Sequence, residues 1–117
     1  MISLDIIEFI ANALKPISDR GVIVVQGWYD ENINDTHITF CELSDRSNDI
    51  SDDEEENIVH TIQVDIWSKK DEWQLKKEVK KLMLQNDFGY IDGVNLFEID
   101  NKIHHKALRF NYLEEVE

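Results

Sequence analysis

The sequence predicts an α+β fold, an antiparallel β-sheet of about five strands with two α-helices packed against it. Three observations lead there. The run VHTIQVDIW, Val59 to Trp67, alternates apolar and polar residues with the period of a strand. Two segments, near the N-terminus and after Ser68, repeat apolar residues at helical spacing. The last third holds two alternating runs joined by a short polar turn, the pattern of a hairpin. A chain of 117 residues with no repeat and no Pro/Gly/Ser-rich linker fits one domain spanning residues 1–117.

Taken in order, Leu4 to Leu14 places Ile6, Phe9, Ile10, Ala13 and Leu14 on one face and Asp5, Glu8 and Asn12 on the other, which predicts an amphipathic helix. Ser3 is the expected N-cap and Pro16 the expected stop. After the turn at Arg20-Gly21, VIVVQGW, Val22 to Trp28, is apolar on both faces and predicts a mostly buried strand. THITFCEL, Thr36 to Leu43, sets Ile38 and Phe40 against His37, Thr39 and Cys41, a half-buried strand. The segment from Ser44 to Asn57 holds seven acids, one arginine and a single apolar residue, so a mobile acidic loop is expected at about 44–57. In the next strand Ile62, Val64 and Ile66 face one way, and Thr61, Gln63, Asp65 and Trp67 the other. Ser68 then caps a predicted helix from about Lys69 to Gln85, with Asp71 and Glu72 in its first turn and exit signals at Asn86 and Gly89. VNLFEID and IHHKALRFNYL complete the sheet, turning near Asp100-Asn101.

Composition narrows the function. Apolar residues make up 42% of the chain, enough for a globular core. The lone Cys41 cannot form an internal disulfide, and no window approaches the roughly 18 apolar residues of a membrane span, so a cytosolic protein without a membrane partner is expected. Twelve basic residues against 25 acids argue against gripping nucleic acid by its phosphates. The bases are unevenly placed: Lys69 to Lys81 contains six lysines and three acids, net +3, in a chain of net charge -13, so the remainder carries -16.

On the predicted second helix, Leu75, Val79, Leu82 and Met83 form the core stripe, while Lys77, Lys80 and Lys81 lie opposite with Trp73 and Leu84 among them. The bland reading is a solvated face with weak pairs such as Glu72 with Lys76 or Glu78 with Lys81. The sharper one is a protein contact, a tryptophan anchor ringed by lysines that meets acids of a neighbour, with Asp52, Asp53, Glu54, Glu55 and Glu56 as candidates.

The chain carries few residues in patterns that chemistry requires. Four scattered glycines make no phosphate loop, His37, His60, His104 and His105 lie on strands without ligand spacing, and Cys41 reads as a packed core thiol. The carboxylates of Asp52 to Glu56 lack both the contrasting environments of acid-base catalysis and the spacing of a calcium loop. No enzyme activity, metal or cofactor is expected.

HTIQVDIWSK, then a charged helix containing KKLM, then FGY, then FEIDNKIHHKALRFNYL resembles the tail-completion proteins of long-tailed phages and Gram-positive prophages, of the tail-terminator or tail-to-head joining type. GWYDE at Gly27 to Glu31 and THITFCEL fit too, so the resemblance spans about residues 16–113; VDIWSK with Trp67 and Ser68, and HKALRF with Arg109, are its most specific parts. The resemblance implies a virion structural protein of the neck, made in the host cytoplasm. Its subunits would form a ring, commonly a hexamer, that binds the tail tube protein and the head connector while DNA passes through unbound. It brings no catalytic residues. The rivals are a head-closure protein of the same virion and an acidic DNA mimic that occupies a host DNA-binding protein.

Overall fold

The computed structural model describes residues 4–47 and 57–115. Helices α1 (Ile6–Ala13) and α2 (Lys15–Ser18) precede strands β1 (Ile23–Gln26), β2 (His37–Ser47) and β3 (Asn57–Ser68); α3 (Trp73–Gln85), β4 (Gly89–Glu98) and β5 (Ile103–Glu115) follow. The strands form one sheet in the order β1-β2-β3-β5-β4. The expected α+β class holds, with two departures. A third, four-residue helix is present, and β1 runs parallel to β2 while every other pairing is antiparallel.

The parallel pairing arises because β1 and β2 are joined by a crossover, not a tight turn. After Gln26 the chain leaves the sheet at Gly27, whose φ of 132° suits a residue without a Cβ. Residues 27–36 then cross back before β2 begins. This also corrects the expectation of a buried β1. The strand is four residues long at the sheet edge; Ile23 and Val25 remain 41% exposed, and Val24, with Val22 just before the strand, packs against the core.

Local expectations at the helix ends shift for equally physical reasons. Asp5, not Ser3, caps α1, accepting from the backbone N–H groups of Ile7 and Glu8. Pro16 does not simply stop the chain's helical path. It sits in the first turn of α2, where its missing N–H costs nothing. Nor does α3 start at Lys69: Ser68 is still paired with His104 in the sheet, and its hydroxyl accepts from the Lys70 N–H, so the strand holds the backbone extended. Asp71 therefore lies outside the helix and pairs with the buried Lys106 at 2.6 Å. Glu72 occupies the cap position without a side-chain cap bond. At the other end Asn86 is the C-cap, Asp87 takes the left-handed conformation (φ 71°), and Gly89 already belongs to β4.

Both ends of the segment expected to be an acidic loop are strand. Asp45, Arg46 and Ser47 extend β2 against His60, Val59 and Ile58, past a register shift between Glu42 and Ser44, and Asn57 opens β3. Backbone pairing with β3 orders these residues where side-chain burial could not. Residues 48–56 lie outside the described residues.

The helices cover one face of the sheet. Ile6, Ile10, Leu14 and Ile17 from α1, α2 and their junction, with Leu75, Val79 and Met83 from α3, bury Ile38, Phe40, Ile62, Val64, Ile66, Leu108 and Phe110. Every one of the last seven is at most 2% exposed. Val64 sits between Phe40 on β2 and Leu108 on β5. Replacing Val64→Asp buries an unpaired carboxylate there and is expected to lower stability by about 3 kcal/mol or more; urea melts of the variant and the parent measure it.

Candidate protein interface

Helix α3 presents the candidate site. Its buried stripe of Leu75, Val79 and Met83 fixes its rotation on the sheet, and an ion pair between Glu78 and Arg20 ties it to the segment that follows α2. That pair holds the Glu78 carboxyl below its ordinary range, mainly through the Arg20 hydrogen bonds. Glu78 is thus committed to Arg20, not to Lys81, and Glu72 accepts from Thr36 and Ser68, not from Lys76. The lysines of the outer face gain no intrahelical ion pair.

With the stripe down, Trp73 (52% exposed) and Leu84 (46%) point outward together with Lys77, Lys80 and Lys81. Lys77 Nζ lies 5.1 Å from the centre of the Trp73 ring, and Lys80 Nζ 4.1 Å from that of Tyr90. Each such contact contributes about 0.5–1 kcal/mol at an exposed site, enough to hold the ammonium groups near the surface. Lys77, Lys80, Lys81, Leu84 and Gln85 line a shallow groove, its walls made by lysine stems. The structure brings together the five α3 residues expected from the sequence. Asp52, Asp53, Glu54, Glu55 and Glu56 lie outside the described residues.

Three features were not read from the sequence. The first is an acidic groove of about 760 Å³ between α1 and the end of β5, lined by Asp5, Glu8, Asp87, Glu114 and Glu115, with Phe9 and Tyr112 among its apolar residues. The Phe9 ring packs on Phe88 and Tyr112, at centroid distances of 5.3 and 5.0 Å. The polar side of α1 was legible as acidic; its meeting with Glu114 and Glu115, over a hundred residues away, was not.

The second is the face of the sheet without helices. The crossover lays Trp28 and Tyr29 over Trp67, which stacks on His105 at 3.7 Å and donates from Nε1 to Thr39 Oγ1. His105 Nε2 donates to Asp65, whose carboxylate is fully buried. His37 Nε2 and Asp65 Oδ2 are left without a hydrogen bond among the described residues, each at a cost of about 1–3 kcal/mol. Cys41 is half-buried on this face and not in the core, and burial together with Asp65 raises its pKa. Toward β4 the same face shows Val94 and Leu96, both nearly half exposed.

The third is His60, which is buried, as are His37 and His105. Its Nδ1 and Nε2 meet Glu42 and Glu114 at 2.5 and 2.8 Å. Ionised carboxylates only accept, so the protonated ring, which donates from both nitrogens, is the form these two partners favour. Among the described residues no group of three or more His, Cys, Asp or Glu side chains is arranged to hold a metal ion, and no described helix is long and apolar enough to cross a membrane.

No known protein family's sequence profile matches the chain. No curated protein matches it either. Among solved structures it is similar to a chain from the virion of a native gene transfer agent particle, with a TM-score of 0.59 and 10% sequence identity over 91% of each chain. At that identity the likeness is one of fold.

The His60 cluster gives a pH prediction. Burial lowers the His60 pKa, but the hydrogen bonds and charges of Glu42 and Glu114 outweigh it, and the net shift is upward. A folded pKa above the unfolded value of about 6.5 makes the contribution complete below that pH and lost as pH rises through the folded pKa. The melting temperature is expected to fall over that interval, and His60→Gln to flatten this part of the profile, as thermal melts across pH measure.

Proposed function

We propose that this chain is a non-enzymatic structural subunit of a phage-like virion, acting as a tail-completion or tail-terminator protein that forms a ring, commonly a hexamer, at the head-proximal end of the tail. The observation that carries this reading is the likeness in fold, over nine-tenths of both chains, to a chain of a gene transfer agent virion. The resemblance of VDIWSK and HKALRF to phage tail-completion proteins supports it independently of the fold.

The chemistry of the surface suits the task. A subunit of net charge -13 that surrounds a DNA path repels phosphate instead of capturing it, so acids lining the channel let DNA slide through. The cationic face of α3 faces a protein, not the DNA. Its exposed tryptophan is the residue type that anchors interfaces, and lysines around it favour an acidic partner surface, on another copy, the tail tube protein or the head connector.

Two measurements test this. Immunogold labelling of purified particles is expected to mark the head-proximal tail end; label on the capsid, or absence from the particles, overturns the reading. The double variant Trp73→Ala, Lys77→Glu is expected to keep its stability within about 1 kcal/mol, since both positions are exposed, while incorporation into particles drops. Urea melts and particle mass spectrometry report the two quantities separately.

A further inference from the structure

We propose that the cationic face of α3 docks into the acidic groove between α1 and the end of β5 of a second copy of this chain. The inference rests on the structural-subunit reading only in taking self-association as the purpose of the contact.

The two surfaces are complementary in three respects. In charge, Lys77, Lys80 and Lys81 carry no ion pair among the described residues, and neither do Glu8, Asp87 and Glu115 on the groove. Glu114 is held by His60 and Asp5 caps α1, so three cations without ion pairs face three anions that have neither an ion pair nor a cap to satisfy. In polarity, Leu84 and the lysine stems are apolar below their charged ends, and Phe9, Tyr112 and Leu113 give the groove an apolar part beneath its acids. In shape, α3 from Trp73 to Leu84 is a rod of twelve residues, about 16 Å long and only shallowly grooved between its lysine stems, and the acidic groove that receives it has a volume of about 760 Å³.

Net charge supplies the directional argument. Two copies at -13 each repel in most orientations, and the lysine face of α3 offers a cationic surface that offsets this. No residue belongs to both surfaces, so the contact is heterologous: each copy uses its lysine face on one neighbour and its groove on the other. Such contacts close into a ring when the rotation between copies permits.

Sedimentation velocity at low salt and over a concentration series tests this with two charge-reversed chains, Lys77→Glu with Lys81→Glu, and Glu8→Lys with Glu115→Lys. All four positions are exposed, and circular dichroism checks that the variants fold. The parent is expected to self-associate, more weakly as salt rises. Each variant alone is expected to associate at least about tenfold more weakly, because like charges oppose each other at the contact. Mixing the two variants is expected to restore association, since each then offers the surface the other lacks. A parent that stays monomeric throughout, variants that associate like the parent, or a mixture that stays dissociated each overturns the proposal. Association unchanged in the variants, with label still found at the tail end, would sink this contact and leave the virion reading standing.

Discussion

Everything in this fold is arranged around a central strand that must be buried on both faces. Strand β3 is paired along its length on both sides, with β2 and with β5, so it reaches solvent by neither edge. On one face Ile62, Val64 and Ile66 meet three helices and form an ordinary apolar core. On the other face Asp65 and Trp67 are just as buried, and no helix covers them. The loop after β1 performs that role with two aromatic rings, which is why β1 and β2 run parallel: a tight hairpin turn would have left no chain to cross the sheet.

The two faces are held by different physics. The helical side depends on apolar area, whose contribution is nondirectional and tolerant of small shifts. The opposite side depends on ring stacking and on a histidine-carboxylate pair, both of which require particular distances and angles. Farther along that face, Val94 and Leu96 on β4 and Ile23 and Val25 on β1 stay partly exposed at opposite edges of the sheet. The cover is concentrated over one end of the central strands.

Charge is segregated in the same spirit. Several of the twelve cations have a fixed partner or a fixed surface: Arg20 with Glu78, Arg109 with Asp92, Lys106 with Asp71, and Lys77 and Lys80 on aromatic rings. The acids of α1 and of the end of β5 converge with Asp87 on one groove instead. The result is a strongly dipolar subunit, a property suited to directional assembly.

The central strand's alternation, the rotation of α3 and the exposure of Trp73 and Leu84 were all determined by the sequence alone, because periods of two and 3.6 fix which residues share a face. Periodicity cannot say what lies across that face. The sequence shows Val22 to Trp28 as apolar, but its place at an edge depends on which strand it pairs with. It shows His60, Glu42 and Glu114 far apart, and only the pairing of β3 with β2 and β5 brings them together. Ser68 looks like a helix cap until its pairing with His104 keeps it in the sheet. Local chemistry sets each element's type and exposed side, whereas contacts between distant residues, being a property of the closed fold, decide where the elements end and which charges meet.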